Sequence, residues 1–247
     1  MMFLFNVVDT PQKTISWDKD TDRLILYADI MGFSFRVNRE NHNKLKRDLL
    51  KFKKTWEKQS SILRKDDRLR SVQFSDSIMV VVNGVDEEMF NLITKAAICL
   101  MQTAMSLGFP IKGVISQGKF TYDKNNELYF GLPLVEAYKL HDEIHYYGIV
   151  VHHSAEKIVK LYADATRPYI KTAINLKKGR TSHFHLLWHL LDKKLAKANI
   201  SDLANDWLDK IEEGVSGEPR IYVDNTREIL KQDHNQWLTT IETRVLK

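Results

Sequence analysis

Arg23-Leu24-Ile25-Leu26-Tyr27-Ala28-Asp29, followed by Ile30-Met31-Gly32-Phe33-Ser34, is the stretch on which the reading of this chain turns. Its first seven residues form an apolar run closing on an acid, the pattern of a buried strand, and the next five form a tight turn around a glycine. Downstream, over residues 40 to about 59, Leu45, Leu49, Leu50, Phe52 and Trp56 recur at helical spacing among charges, which predicts an amphipathic surface helix. Two β-rich runs, 69–74 and 78–82, flank the polar Ser75-Asp76-Ser77, so a β-hairpin is expected with Asp76 at its tip. A second long helix is expected over 86–107: Asp86-Glu87-Glu88 suit its positive N-terminal end, and Gly108 and Pro110 close it. The chain then returns as a strand over 111–117, turns at Gly118 and continues through Tyr122. Strand, helix, hairpin, helix, strand is the split β-α-β order of a ferredoxin-like α+β domain.

The remainder follows the same logic. Polar residues 123–126 turn into 127–130, and a helix is expected over 132–142, a strand over 148–151, a short helix near 154–161 and strand-like segments at 169–176 and 182–187. Beyond Trp188 the chain reads as helical over 191–211 and 225–245, with Gly214-Val215-Ser216-Gly217-Glu218-Pro219 as the breaker. The expected organisation is an α/β domain over 1–190 and a helical C-terminal extension over 191–247.

With 247 residues, 43% of them hydrophobic, the chain buries a large core unaided. A single cysteine, Cys99 within an apolar run, excludes an intrachain disulfide and suits a reducing cytoplasm. No run approaches the roughly 18 apolar residues of a membrane span, and Met1-Met2-Phe3-Leu4-Phe5 lacks the flank of a signal peptide, so a cytoplasmic protein is expected. The net charge of +5 is interleaved with acids, as in Lys51-Phe52-Lys53-Lys54-Thr55-Trp56-Glu57-Lys58, which fits a solvated helix face rather than a nucleic-acid surface.

Asp29 ends a strand and Asp76 tips the neighbouring hairpin, so their carboxylates can converge at one sheet edge. Two such acids repel, and a magnesium or manganese ion completed by substrate phosphates resolves the repulsion. The alternative is that Asp29 caps the following turn and Asp76 is a turn residue. Gly32 permits close backbone approach to a ligand, and the amides around Phe33 and Ser34 offer donors to phosphate oxygens. His183, His185 and His189 lack a cysteine or acid at ligand spacing, so zinc is not expected there.

Asp29-Ile30-Met31-Gly32-Phe33-Ser34 resembles the metal-binding opening of class III nucleotide cyclases, an Asp-Ile-x-Gly-Phe-Thr/Ser pattern. Phe74-Ser75-Asp76-Ser77 is similar to the second metal motif of that family, with Ser75 in place of its glycine. Ile111-Lys112-Gly113-Val114-Ile115-Ser116-Gln117-Gly118 resembles its basic-Gly-Ile-x-x-Gly strand. Gly131 to Leu140 resembles its Gly-x-x-Val-Asn-x-Ala-x-Arg-Leu helix, with Val135 at the asparagine and Lys139 at the transition-state arginine. Lys177-Lys178-Gly179-Arg180 looks like its basic-Gly-basic element.

The resemblance, over about 22–190, implies a ferredoxin-like cyclase catalytic domain. Two divalent cations, Mn2+ or Mg2+, would be held by Asp29, Asp76 and the Ile30 carbonyl. Lys139 would neutralise charge on the α-phosphate, or is a solvated helix lysine; Lys178 and Arg180 would meet the triphosphate, or belong to a surface turn. Family members of this type are homodimers in which Lys139 would complete the partner's site.

Purine cyclases of this family read the base with polar residues where this chain has Val72 and Leu128, and an apolar pair leaves a purine edge without partners. Phe74 is a candidate wall of a narrower pocket. The chain's size, the Gly131 to Leu140 variant and Tyr222-Val223-Asp224-Asn225-Thr226 look like the pyrimidine cyclases of bacterial Pycsar antiphage systems. That implies cyclic UMP, favoured, or cyclic CMP acting through a separate effector. The alternatives are a purine cyclase and a catalytically silent cyclase-like binding module.

Overall fold

A computed structural model of the protein describes residues 16–64, 67–162, 168–189 and 200–245. An eight-stranded sheet organises it. Its strands are β1 (Thr21–Ile30), β2 (Leu69–Phe74), β3 (Ser77–Val82), β4 (Ile111–Asp123), β5 (Leu128–Gly131), β6 (Ile149–Val151), β7 (Tyr169–Leu176) and β8 (Gly179–Leu186). They lie in the order β2-β3-β1-β4-β6-β8-β7, with β5 attached to β4. The four strands β2-β3-β1-β4 are antiparallel neighbours, the ferredoxin-like arrangement expected from the element order.

β1 is central and covered on both faces, which is why it reads as a continuous apolar run rather than an alternating one. Leu24, Leu26, Ala28 and Ile30 join the main core with Phe52, Phe90, Ile93 and Met101. Those partners come from helices α2 (His42–Gln59) and α3 (Glu87–Ser106). On the opposite face Ile25 packs with Trp17, Phe120 and Tyr122, and α4 (Leu132–Glu143) crosses β1 and β4. Arg23, fully buried, is satisfied by the Asn83 side chain and the carbonyls of Phe120, Trp17 and Lys19.

Three local expectations are corrected, while the helix expected over 40–59 is present as α2. The tight turn expected over 30–34 is cut short, because a separate helix, α1 (Phe33–Arg39), starts directly from Gly32 (φ 70°) and takes Phe33 and Ser34 out of the turn. Asn41 then starts α2 by accepting from the amides of Asn43 and Lys44. β4 does not turn at Gly118. It runs on as one strand, and Gly118 leaves room for the Pro133 ring, whose Cδ would stand 3.3 Å from a Cβ there. The short helix expected near 154–161 is present as α5 (His153–Tyr162). α7 (Glu218–Val245) begins inside the expected breaker, with Pro219 in its first turn where no amide is needed. α6 (Ile200–Glu212) covers the later part of the helix expected over 191–211; 191–199 lie outside the described residues, as does the N-terminal pentapeptide.

Both C-terminal helices pack on the sheet domain. Ala204, Leu208, Ile211, Val223 and Leu230 belong to the main core. The 222–226 segment fastens α7: the Asn225 amide donates to the His145 carbonyl at 2.7 Å, and Thr226 Oγ1 accepts from the Tyr147 amide at 2.9 Å. Tyr222 stacks on Tyr147 with ring centroids 5.6 Å apart.

Candidate active site

Asp29 is the penultimate residue of β1, and the antiparallel register sets Ser77 of β3 on one side of it and Lys112 of β4 on the other. Directly opposed residues of neighbouring strands share a face, so the three form one row. Ser77 Oγ donates to Asp29 Oδ1 at 2.8 Å, and the Tyr27 hydroxyl lies 3.2 Å from the same serine oxygen. Asp76 occupies the turn between β2 and β3, and its carbonyl accepts from the Ile30 amide at 3.1 Å, which fastens the turn to the end of β1. Ser75 adopts φ 54° at the position where the cyclase motif carries glycine. The left-handed turn is thus kept without the glycine, at a cost of about 1 kcal/mol.

Burial holds the Asp29 carboxyl above the ordinary carboxylate range; the Ser77 hydrogen bond opposes this, the Asp76 charge adds to it and Lys112 opposes it. Lys112 is buried, donates to the Ile144 carbonyl at 3.1 Å and is pushed down to about 8 by burial, with Lys177 adding to the effect. Among the described residues neither Asp29 nor Asp76 forms a salt bridge. Two mutually repelling carboxylates, one of them half-buried and anchored by a hydroxyl, are a hard-oxygen donor set that fits a divalent cation.

The remaining candidates divide. Gly32 sits at the start of α1, and Phe33 lines a shallow groove with Val37, Leu49, Gln73 and Ser75. Val72 is half-buried against the Trp17 and Tyr122 cluster. Phe74 is opposite Ser77 and therefore shares its face, but it is 81% exposed. β2 ends at Phe74, so the alternation of Val72, Phe74 and Asp76 along one strand stops there and Asp76 belongs to the turn. Leu128, on β5, is half exposed. Lys139 is exposed on α4, in a stripe with Leu132, Val135 and Tyr138. Tyr138 meets Tyr27 edge-on at 5.9 Å between centroids, which sets α4 over the Asp29 face.

Lys178 lies in the turn between β7 and β8 and is exposed. Arg180 is committed elsewhere: it donates to Glu228, Gln232 and the Ala173 carbonyl, so it ties the hairpin to α7. Lys177 pairs with Asp142 at 2.9 Å.

Sequence reasoning passed over Ser77, Tyr27 and Lys112 as site residues. The signal for Lys112 was its place in the basic-Gly strand, but only the register sets it opposite Asp29. The 222–226 segment, noted as a resemblance, proves to be the fastening of α7 against 145–147, next to Ile144, which accepts from Lys112.

No protein-family model matches the chain, and no curated protein matches it. Among solved structures it is similar to the dimeric guanylyl cyclase domain of the RhoGC fusion protein from the aquatic fungus Blastocladiella emersonii. That match has 13% identity and a TM-score of 0.52, and covers 68% of this chain and 94% of that one. It is also similar to the catalytic core of a rhodopsin-guanylyl cyclase with converted specificity in complex with ATPαS, at 12% identity and a TM-score of 0.52, covering 68% and 95%. The likeness is one of fold: the mixed α+β architecture and its open sheet match a class III cyclase catalytic domain.

Proposed function

We propose that the protein is a pyrimidine nucleotide cyclase, converting UTP in preference to CTP into the 3′,5′-cyclic monophosphate and pyrophosphate. The observation that carries the cyclase reading is the junction of Asp29 and Asp76 at the end of β1, held by the Ile30 amide and by Ser77. Asp29, Asp76 and the Ile30 carbonyl would hold two divalent cations, Mg2+ or Mn2+. Cations bound there would lower the pKa of the ribose 3′-hydroxyl and neutralise the phosphates. In the chain itself, Ser77 fixes the orientation of Asp29, and the turn at Ser75 fixes that of Asp76. The 3′-oxygen attacks the α-phosphorus in line and pyrophosphate leaves, with no covalent enzyme intermediate. Lys178, exposed in the hairpin turn, stands outside the α7 contacts that occupy Arg180 and the Asp142 pair that occupies Lys177, and it serves the triphosphate.

A homodimer is part of this reading. The exposed stripe Leu132, Val135 and Tyr138, with Phe74 nearby on the Asp29 face, is an apolar surface of the kind that associates. Lys139 lies in the same stripe and would complete the partner's site.

The base assignment rests on Val72, Phe74 and Leu128, which offer a base edge no hydrogen-bond partner and so disfavour the purine code. The product would act in bacterial antiphage defence through a separate effector, a reading supported by the Gly131 to Leu140 and 222–226 resemblances.

Incubation with each of the four ribonucleoside triphosphates and manganese, with products identified by mass, tests this. Cyclic UMP is expected to dominate. Predominant cyclic AMP or cyclic GMP would overturn the base assignment and leave a purine cyclase; no cyclic product from any triphosphate would overturn the enzyme and leave a silent module.

A further inference from the structure

A second set of donors converges where β6 ends. Glu136 of α4, His152 after β6 and His153 at the start of α5 each offer a ligand atom, and the three atoms lie within 4.8 Å of one another. His152 is buried, with its amide donating to the Ile115 carbonyl of β4 at 2.8 Å and its Nδ1 3.6 Å from Glu136 Oε2. Ser154 steadies the ring, its hydroxyl lying 2.9 Å from Nδ1. The His153 ring stands against it, with centroids 4.0 Å apart. His183 of β8 interacts electrostatically with both histidines, and its buried Nδ1 has no hydrogen-bond partner among the described residues.

This donor set differs in kind from the Asp29 site. Two imidazoles and one carboxylate select a borderline transition metal, whereas paired carboxylates select a hard cation. The two sites are also separate on β4: the His152 amide meets Ile115, three residues or roughly 10 Å along the strand from Lys112. Glu136 is partly solvent-accessible and His153 is exposed, so an ion has an entry path.

We propose that Glu136, His152 and His153 form a binding site for a single transition-metal ion of the Zn2+ type, with His183 as an adjacent third imidazole. Such an ion ties α4 to the junction of β6 and α5. The proposal does not depend on the cyclase reading, because the ligands, the metal class and the readout are all different.

The test is calorimetric titration of chelator-treated full-length protein with Zn2+, paired with Co2+ absorption in the visible range and with melting temperature. Parent protein is expected to bind one Zn2+ per chain at this site, to show the Co2+ bands of a low-coordinate nitrogen-ligated ion, and to melt at a higher temperature when loaded. Glu136→Gln and His153→Ala, both at accessible positions, are expected to melt like the parent without metal and to bind Zn2+ at least tenfold more weakly. Asp29→Asn is expected to bind it as the parent does. Unchanged Zn2+ affinity in both Glu136→Gln and His153→Ala, or binding lost in Asp29→Asn but kept in His153→Ala, overturns the site.

Discussion

Asp29 carries an energetic conflict that separates a working acid from a turn residue. Its carboxylate is half-buried beside a second acid, so its ionised form is disfavoured in the folded chain. The raised pKa means that ionised Asp29 costs stability at neutral pH, and the cost is relieved as pH falls through the folded pKa. Asp29→Asn keeps an acceptor for Ser77 and removes the charge, so its melting temperature should match or exceed the parent's by about 1–2 °C, a figure discounted for partial exposure. Product formation should fall at least ~100-fold in Asp29→Asn and in Asp76→Asn. A lower melting temperature with full turnover in Asp29→Asn would mark the residue as a structural cap. Asp29 and Asp76 were legible in the sequence because each closes a locally recognisable unit. Ser77 and Lys112 as the flanks of Asp29 were not, since cross-strand register joins residues 48 and 83 positions away from it.

At the scale of elements, α4 depends on the backbone just before its first residue. Gly131 precedes it at φ 159°, and a Cβ there would meet the Lys119 carbonyl oxygen at 2.5 Å and the Phe120 Cα at 3.0 Å. Backbone of a central strand cannot give way, so Gly131→Ala should destabilise by about 2–4 kcal/mol, lowering the melting temperature by roughly 4–16 °C. Thermal melts check this, and a loss under 1 °C would mean that the turn is plastic. Long periodic helices such as α2 and α3 were readable because their apolar spacing is strong. α1 was not: it has no buried residue and exposes Phe35 and Val37, so it carries no amphipathic signal. Gly118 misled for the opposite reason, since its glycine serves contact with Pro133 rather than a turn.

At the scale of the whole molecule, histidines are buried where β8 meets α7. His189 is fully buried without a hydrogen-bond partner on either nitrogen among the described residues, 3.9 Å from Asp233, and burial lowers it to about 3. His185 of β8 meets the same Asp233 of α7 at 2.9 Å. Unfolded histidine takes up its proton near pH 6.5, while folded His189 does not until about pH 3. Stability is therefore full above about pH 6.5 and lost as pH falls below it, by up to ~1.4 kcal/mol per pH unit for this group. Melting temperature against pH should drop between about pH 6.5 and 5, and His189→Phe should flatten the slope by close to one proton; an unchanged slope would refute the assignment. Assembly gives a second test at this scale. Asp76→Ala and Lys139→Ala chains, each inactive alone, should recover about half of parental activity in verified heterodimers, where one of the two sites is intact. No recovery in those heterodimers would rule out a site shared between subunits.

By itself the sequence determined the order and type of most elements, the split β-α-β core and the closeness of the two acids at the end of β1. All of these are written in runs of a few residues, where periodicity and turn chemistry act locally. Only the tertiary structure decided what stands beside Asp29, that Arg180 is occupied by Glu228 and Gln232, that 222–226 fastens α7 against 145–147, and that Glu136 reaches His152 and His153. Each of these joins segments distant along the chain, and the register and packing that bring them together are set by burial of the whole sheet, which no local window contains.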